Sequence, residues 1–403
     1  MKILLMNQFF WPDSAATSQL LTDLARQLVA DGHEIQVVCS GGGYAPPATD
    51  EAPRVDVFRV ATIPFRRRKV GRVLSYASFY IGAAWKGLTL PRADIVITLT
   101  TPPLLSLIGT AIKFLRGSRH VIWEMDVYPD VAVTLGYFKE GGILDRSVGA
   151  LADWSRRNAD TIVALGACMK QRLVRRGIPP EKIQIADNWA DSHTIAVLPK
   201  AGNHAKLVLL YSGNLGLAHD IDTVLGAIRQ LRTDTRFKFI FVGNGSRRRE
   251  LAHVAKAESI TTLELRPHVE RASLGECLAV GDIGLVTQKN ECCGAVVPSK
   301  VYGLLAAGRP VLFIGPADAT PALIIRRFNC GWHIPCGASE ELVRLLLHLA
   351  ENPREIQAAG ARAREALLEH FDLSIGTARV SALIYGISSN LPAELIAFSG
   401  ESF

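Results

Sequence analysis

Short apolar or β-branched runs alternate with helical patterns from one end of the chain to the other. That rhythm builds parallel sheets from βαβ units, so the chain is read as α/β. "KILLMNQ" (2–8) leads into a helix whose Leu20, Leu21, Leu24, Leu28 and Val29 fall at helical spacing, stopping near Gly32. "EIQVVCS", "VDVFRV", "DIVITLT", "HVIWEMD" and "TIVALG" follow as strands and complete one doubly wound domain over 1–190. "NWADSHTIAVLPKAGNHAK" breaks the rhythm with turn formers, which places a linker at 191–206. A second series, "LVLLYS", "FKFIFVG", "TLEL", "IGLVTQ" and "PVLFIG", makes a second domain over 207–375, and the segment 376–403 can cross back to the first. Two Rossmann-like domains joined in this way face a cleft at their strand C-terminal edges, where open α/β sheets bind ligands.

A chain of 403 residues with 48% hydrophobic and 21% charged content can bury two cores and is not disordered. Its net charge of +7 favours anionic partners without choosing among nucleotides, nucleic acid and acidic lipid. The seven cysteines are scattered, with no C-x-x-C pair and no histidines at zinc spacing, so reduced thiols in a cytoplasmic enzyme are expected. Cys292-Cys293 reads as small buried hydrophobes. The opening residues lack a signal peptide's apolar stretch, and no run reaches the roughly 18 apolar residues of a membrane span.

Chemistry concentrates in three places. "LVLLYS" runs into Gly213-Asn214-Leu215-Gly216, and the next strand repeats the device with Gly243-Asn244-Gly245. Glycines in a strand-to-helix turn let backbone N–H groups approach a phosphate, although such turns also serve merely to reverse a chain. Arg247, Arg248 and Arg249 after the second turn oppose a helix dipole and read as a solvated face. In "PSKVYGLLAAGRP" (298–310), Pro298 ends the preceding segment, Ser299 is the expected N-cap, and a helix from Lys300 to Ala307 stops at Gly308. A positive dipole end and an ammonium would converge there, which suits a diphosphate.

These motifs, with "CGWHIP", resemble the donor-binding half of GT-B glycosyltransferases of the family-4 type. "WPDSAATSQLLTDLARQLVADGHEIQVV", "WEMDVYPD" and "NADTIVALGACMKQRLVRRGIPPEKI" extend the likeness over the first half, toward the branch that acts on lipid-linked acceptors in bacterial polysaccharide assembly. The resemblance implies a retaining transfer from a nucleotide sugar, a UDP-sugar by expectation, with no metal and no other cofactor. The implied partners are a polyprenyl-diphosphate-linked saccharide and an anionic membrane surface, and no nucleic acid.

Departures from the family are equally informative. An arginine and a lysine that grip the diphosphate in the family are replaced here by Asn214 and His219. Lys300 becomes the main cation for the leaving phosphate, helped by His219 if that is protonated. Of the family's two glutamates eight residues apart, the register set by "AAGRP" gives Ala295 and Gly303, whereas starting from Glu291 gives Ser299 as the second. Neither choice supplies a second glutamate, which leaves Tyr302 as a ribose contact and Glu291 as a loop residue reaching the donor sugar. Gly216, His268 and Val269 complete the expected donor contacts. The family's histidine-aspartate pair corresponds to Met125-Asp126. Asp126, at a strand's C-terminal end, would accept a proton or orient the acceptor, or either it or Asp130 would cap a helix. The loop with Asp13, Ala15, Ala16 and Thr17 lacks the family's paired glycines but is small enough for close approach to a phosphate.

"FRRRKVGRVLSYASFYIGAAWKGL" (65–88) combines Arg66, Arg67, Arg68, Lys69 and Arg72 with Val70, Val73, Leu74, Ala77, Tyr80, Ile81, Ala84, Trp85 and Leu88 at helical spacing. A core helix beside a basic loop explains the periodicity as well. The clustered cations, worth about 1 kcal/mol each near an anionic leaflet, favour a monotopic contact with the inner face of the cytoplasmic membrane. Rival readings are a GT-B-fold nucleotide-sugar epimerase and a degenerate, non-catalytic nucleotide-binding relative. An NAD oxidoreductase fits less well, because neither glycine turn completes G-x-G-x-x-G with an acid about 20 residues on.

Overall fold

The computed structural model describes residues 1–42, 51–63, 69–201 and 206–389, and the chain forms two compact units. Among the described residues, the first unit holds those of Met1–Asp187, the segment Gly294–Val296, and the chain from Gly376 to Ser389. Its strands are β1 (Lys2–Met6), β2 (Glu34–Ser40), β3 (Asp56–Val60), β4 (Ile95–Thr98), β5 (Arg119–Glu124), β6 (Thr161–Ala164) and β7 (Ile183–Ile185). Between them run α1 (Ala16–Ala30), α2 (Lys69–Thr89), α3 (Ser106–Arg116), α4 (Asp130–Thr134), α5 (Ile143–Asn158) and α6 (Ala167–Arg175). All strand pairs are parallel, in the order β3-β2-β1-β4-β5-β6-β7. Parallel sheets are covered on both faces, so their strands read as continuous apolar runs, as in Ile3, Leu4, Leu5 and Met6, all buried. The winding reverses between β1 and β4, which makes the C-terminal ends of these strands and of β5 the place for ligand-facing groups.

The second unit, Asn188–Cys293 with Val297–Ile375, repeats the plan. Its strands are β8 (Leu207–Ser212), β9 (Phe237–Val242), β10 (Leu263–Arg266), β11 (Ile283–Thr287), β12 (Val311–Ile314) and β13 (Gly331–Ile334). They pair in parallel in the order β10-β9-β8-β11-β12-β13, with the reversal between β8 and β11. The helices are α7 (Asp222–Gln230), α8 (Arg248–Ala257), α9 (Leu274–Ala279), α10 (Lys300–Ala306), α11 (Thr320–Phe328), α12 (Ser339–Glu351) and α13 (Pro353–Ala366), and α14 (Leu373–Ser389) starts in this unit and continues into the first. One core lies under α7 and α12 on one face, and another under α10, α11 and α13 on the other.

Two features follow from local chemistry rather than periodicity. The turn-rich stretch after Asn188 has no regular element in its described part, yet it is tied down: Ser192 N–H donates to Asp372 at 3.0 Å and Arg364 donates to the Ile195 carbonyl at 3.2 Å. From Gly376, α14 packs within the first unit, where Ile384 is buried, Arg379 lies 3.7 Å from Asp187, and the Tyr385 hydroxyl donates to Asp31.

Gly243 and Gly337 both have positive φ, +123° and +87°, but only Gly243 is crowded: a Cβ there would lie 2.3 Å from the Gly213 carbonyl oxygen, while Gly337 has open space. Gly243→Ala should therefore lower stability by about 1–3 kcal/mol, clearly more than Gly337→Ala, whose cost is confined to left-handed strain of about 1–2 kcal/mol. Urea denaturation midpoints of the two variants make the comparison.

Candidate functional site

At the C-terminal edge of the second unit's sheet, two backbone turns and one lysine are stacked. Gly213 leaves β8 with φ +128° and donates to the Val242 carbonyl at 2.9 Å. Gly243 leaves β9 directly against Gly213, and Leu215 N–H donates to the Asn244 carbonyl at 2.7 Å. Above them passes Lys300: a Cβ on Gly213 would stand 2.5 Å from its Cε. Both turns require glycine because backbone lies on one side and a lysine stem on the other. Asn214 and Asn244 project outward and are exposed, and Gly216 is partly buried.

The Lys300 ammonium lies over the Tyr211 ring, 5.2 Å from its centre. Among the described residues no carboxylate pairs with it. Burial alone pulls its pKa down to about 8. A cation held over an aromatic ring, with no carboxylate partner among the described residues, is an electrostatic arrangement that a phosphate would complete.

His219 does not supply a second charge. Its Nδ1–H donates to the Thr287 carbonyl at 2.8 Å, and Nε2 lies 3.1 Å from the Tyr211 hydroxyl, which also reaches the Asn214 carbonyl at 2.9 Å. Burial first, and the Lys300 charge second, push its pKa down to about 3. The ring is neutral near pH 7, and its role is to hold Tyr211 beneath the lysine.

Other expectations are corrected. Ser299 is exposed, takes helical angles and makes no side-chain cap, and α10 spans only seven residues, so the lysine carries the site rather than a capped dipole. Tyr302 is fully buried edge-on to Phe371, 5.4 Å between ring centres, inside the core, so it is not placed to grip a ribose. Arg247 is no solvated residue: it pairs with Asp222 and Glu250, each at 2.8 Å. Val269 packs on the core, whereas His268 is exposed. Glu291 stands exposed in a short turn at Asn290–Cys292, and Pro298 is partly buried before α10.

The corresponding edge of the first unit carries Asp126, just beyond β5. Its N–H donates to Thr100 Oγ1 at 3.1 Å, its backbone bridges Val296, and Val127 N–H donates to the Ala295 carbonyl at 2.9 Å. Desolvation, then the nearby Glu124 charge, push the Asp126 carboxyl up to about 6. Asp130 is not available to an acceptor, because it opens α4 and pairs with Arg172 at 3.0 Å and Arg176 at 3.1 Å. The Asp13 carboxylate accepts from Ala15 N–H at 2.8 Å and shapes the turn into α1, leaving Ala16 exposed and Ala15 and Thr17 partly so. Sequence reasoning passed over Asn7 and Gln8, buried where β1 ends beside the winding reversal; the polar "NQ" closing an apolar strand was the available signal.

The apolar stripe of α2 is divided. Ser75, Phe79 and Ala83 face the core, while Leu74, Ile81 (75% exposed) and Trp85 (72% exposed) face outward. Helices α3 and α5, adjacent in space, continue that surface with exposed Phe114, Leu115, Ile143, Leu144, Leu151 and Trp154, and Phe114 meets Trp154 at 6.2 Å between rings. Arg66, Arg67 and Arg68, and the side chains of Lys69 and Arg72, lie outside the described residues. Among the described residues no helix is long and apolar enough to cross a membrane.

Comparison with known proteins places both halves. Residues 17–189 match the glycosyl transferase 4-like domain family, and residues 199–366 match glycosyl transferases group 1. The chain is 26% identical over 301 residues to a probable glycosyltransferase, WbjE, of Pseudomonas aeruginosa, covering 73% of this chain and 74% of that one. It is 24% identical over 339 residues to WcaI of Escherichia coli K12, described as a putative colanic acid biosynthesis glycosyl transferase, covering 76% and 82%. A crystal structure of Anabaena HepE in complex with UDP superposes with TM-score 0.71 at 13% identity, over 96% of this chain and all of that one, which speaks to the fold.

The lysine yields a pH test. Its charge is present below about 8 and lost above, so affinity for a nucleoside diphosphate should fall by up to about tenfold per pH unit beyond that point. Calorimetric titration from about pH 7 to about pH 10 should show this decline in the wild type, and weak, nearly flat binding in Lys300→Met.

Proposed function

Because the chain belongs to the GT-B glycosyltransferases of the family-4 type, we propose that it transfers a sugar from a UDP-sugar to a lipid-linked saccharide during assembly of a bacterial surface polysaccharide. The observation that carries this reading is Lys300, a desolvated ammonium above two glycine turns, with no carboxylate partner among the described residues. The colanic acid role given for WcaI and the UDP bound to HepE support the choice of pathway class and donor.

In the proposed reaction the bond from the anomeric carbon to the β-phosphate oxygen breaks, and a bond to the acceptor hydroxyl oxygen forms with retained configuration. The departing diphosphate gains charge, which Lys300 neutralises while the glycines let the backbone come close. This is the service a divalent cation performs in other transferases, so the proposed reaction runs without a metal. The acceptor proton passes to the departing phosphate or to Asp126, whose raised pKa suits a group that takes and returns a proton near neutrality. Glu291 is the remaining carboxylate for the donor sugar. Gly303, where the family keeps its ribose-binding glutamate, is not closed to a side chain: a Cβ there would meet Leu278 and Ile195 only at 3.9 and 4.0 Å.

The outward faces of α2, α3 and α5 support a peripheral seat on the cytoplasmic side of an anionic membrane, where a polyprenyl-diphosphate acceptor would be met. Exposed large apolar side chains, two of them tryptophans, share these helices with exposed Arg146 and Arg157. Replacing Ile81 and Trp85 together by serine should release the protein from vesicles containing anionic lipid without lowering its melting temperature, and unchanged sedimentation would remove the membrane seat.

The transferase reading is tested by incubating the protein with a panel of nucleotide sugars and bacterial lipid extract. A glycosylated lipid formed from one UDP-sugar, and lost in Lys300→Met, is the expected result. Interconversion of the sugar nucleotides with no lipid product would instead establish the epimerase.

A further inference from the structure

Behind Asp126 runs a continuous row of alternating charges that the donor and acceptor roles leave unused. Arg156 on α5 forks onto Glu124 at the end of β5, with Nη2 2.5 Å from Oε1 and Nε 3.2 Å from Oε2. The same guanidinium donates through Nη1 to Asp153 at 2.9 Å. Asp153 in turn accepts from Arg176, just past the end of α6, at 3.0 and 2.8 Å. Arg176 reaches Asp130 of α4 at 3.1 Å, and Arg172 closes the row on Asp130 at 3.0 Å. Glu124, Arg156 and Asp153 are all buried.

Buried ion pairs add little net stability, because apolar residues of similar volume would serve as well. What such a row does is fix geometry, and its two ends are telling. Glu124 stands two residues before Asp126 and Asp130 stands four after it. The five-residue loop between them is thus anchored at both ends to one ladder, while Thr100 and the Ala295 carbonyl hold its middle.

We propose that the Glu124–Arg156–Asp153–Arg176–Asp130–Arg172 ladder is the positioning device of Asp126, with Arg156 acting on that carboxyl through Glu124 and touching no substrate itself. The proposal rests on the reading of Asp126 as a reacting carboxyl. The charged group that acts on Asp126 is Glu124, just before it, and behind Glu124 the row continues through Arg156 and Asp153 of α5 to Asp130 of α4, Arg172 of α6 and Arg176 just past α6. The loop after β4 adds only the Thr100 hydroxyl, and the segment Gly294–Val296 adds backbone. Arg156 forks onto Glu124 and holds that carboxylate in place, and the Glu124 charge, second to desolvation, makes Asp126 hold its proton to higher pH.

The test follows Asp126 itself. In full-length protein carrying carboxyl-labelled aspartate, its carbon signal is assigned by loss in Asp126→Asn and titrated. Glu124→Gln keeps the shape and removes the charge but not the desolvation, so the midpoint should fall part of the way from about 6 toward the ordinary carboxylate value of about 3.9. The acid limb of the rate profile should move down with it. Asp153→Asn, which frees more of the Arg156 charge, should shift the midpoint the same way and serves if Glu124→Gln does not fold. Arg156→Lys keeps a cation but loses the fork, and should lower kcat with the donor KM unchanged. An unmoved Asp126 midpoint in a folded Glu124→Gln or Asp153→Asn protein overturns the ladder's role. Full turnover in Asp126→Asn would overturn the reading of Asp126 instead, with the titration still deciding the ladder.

Discussion

The second unit is organised around the approach of two backbone turns to each other beneath a lysine stem. That approach requires strands β8 and β9 to end in register, glycines at 213 and 243, and a helix that delivers Lys300 from the far side of the winding reversal. Tyr211 and His219 then serve as a floor: the ring offers its face to the ammonium, and the imidazole, held neutral, orients the phenol. Each part is intelligible only with the others. A second cation at position 219 would have repelled the first, and the burial that depresses the lysine's pKa is the same burial that excludes a protonated histidine.

The first unit places charge under the opposite rule. There, the ladder alternates its charges, with Arg156 and Arg176 each between two carboxylates and Arg172 at the end, and Asp126 beside it carries a raised pKa. One unit thus holds a cation with no carboxylate partner among the described residues, while the other pairs the ladder's charges internally and keeps Asp126 beside them with a raised pKa. Both arrangements sit at strand C-terminal ends, where a parallel sheet leaves backbone and loop groups free to meet a ligand.

Much of the fold was legible because parallel strands buried on both faces announce themselves as apolar runs. β7 and β13 were passed over for the converse reason: Ile183–Ile185 is a three-residue edge, and Gly331–Ile334 has only partly buried residues along most of its length. Within the site, Gly213, Gly243, Lys300 and Asp126 could be named from position alone. The failures concern environment rather than position. Nothing in a one-dimensional string distinguishes a histidine facing solvent from one wedged between Tyr211 and Thr287, or a tyrosine on a ligand face from Tyr302 packed against Phe371. The α2 stripe was only partly legible, since Leu74, Ile81 and Trp85 share helical spacing with residues that do enter the core. The ladder was invisible because its members lie on four elements, joined only by folding.

The short segment Gly294–Val296 has a bearing on how such proteins diversify. It lies in the sequence between β11 and α10, among the elements of the second unit, yet it packs with the first, where its backbone meets Asp126 and Val127. Gene fusions that exchange C-terminal halves between relatives would therefore transplant, along with a donor pocket, three residues that form one wall of the recipient's acid. Modules that look separable on a map of the chain share a component, and a hybrid inherits a mismatch beside Asp126 unless those three residues are kept from the recipient.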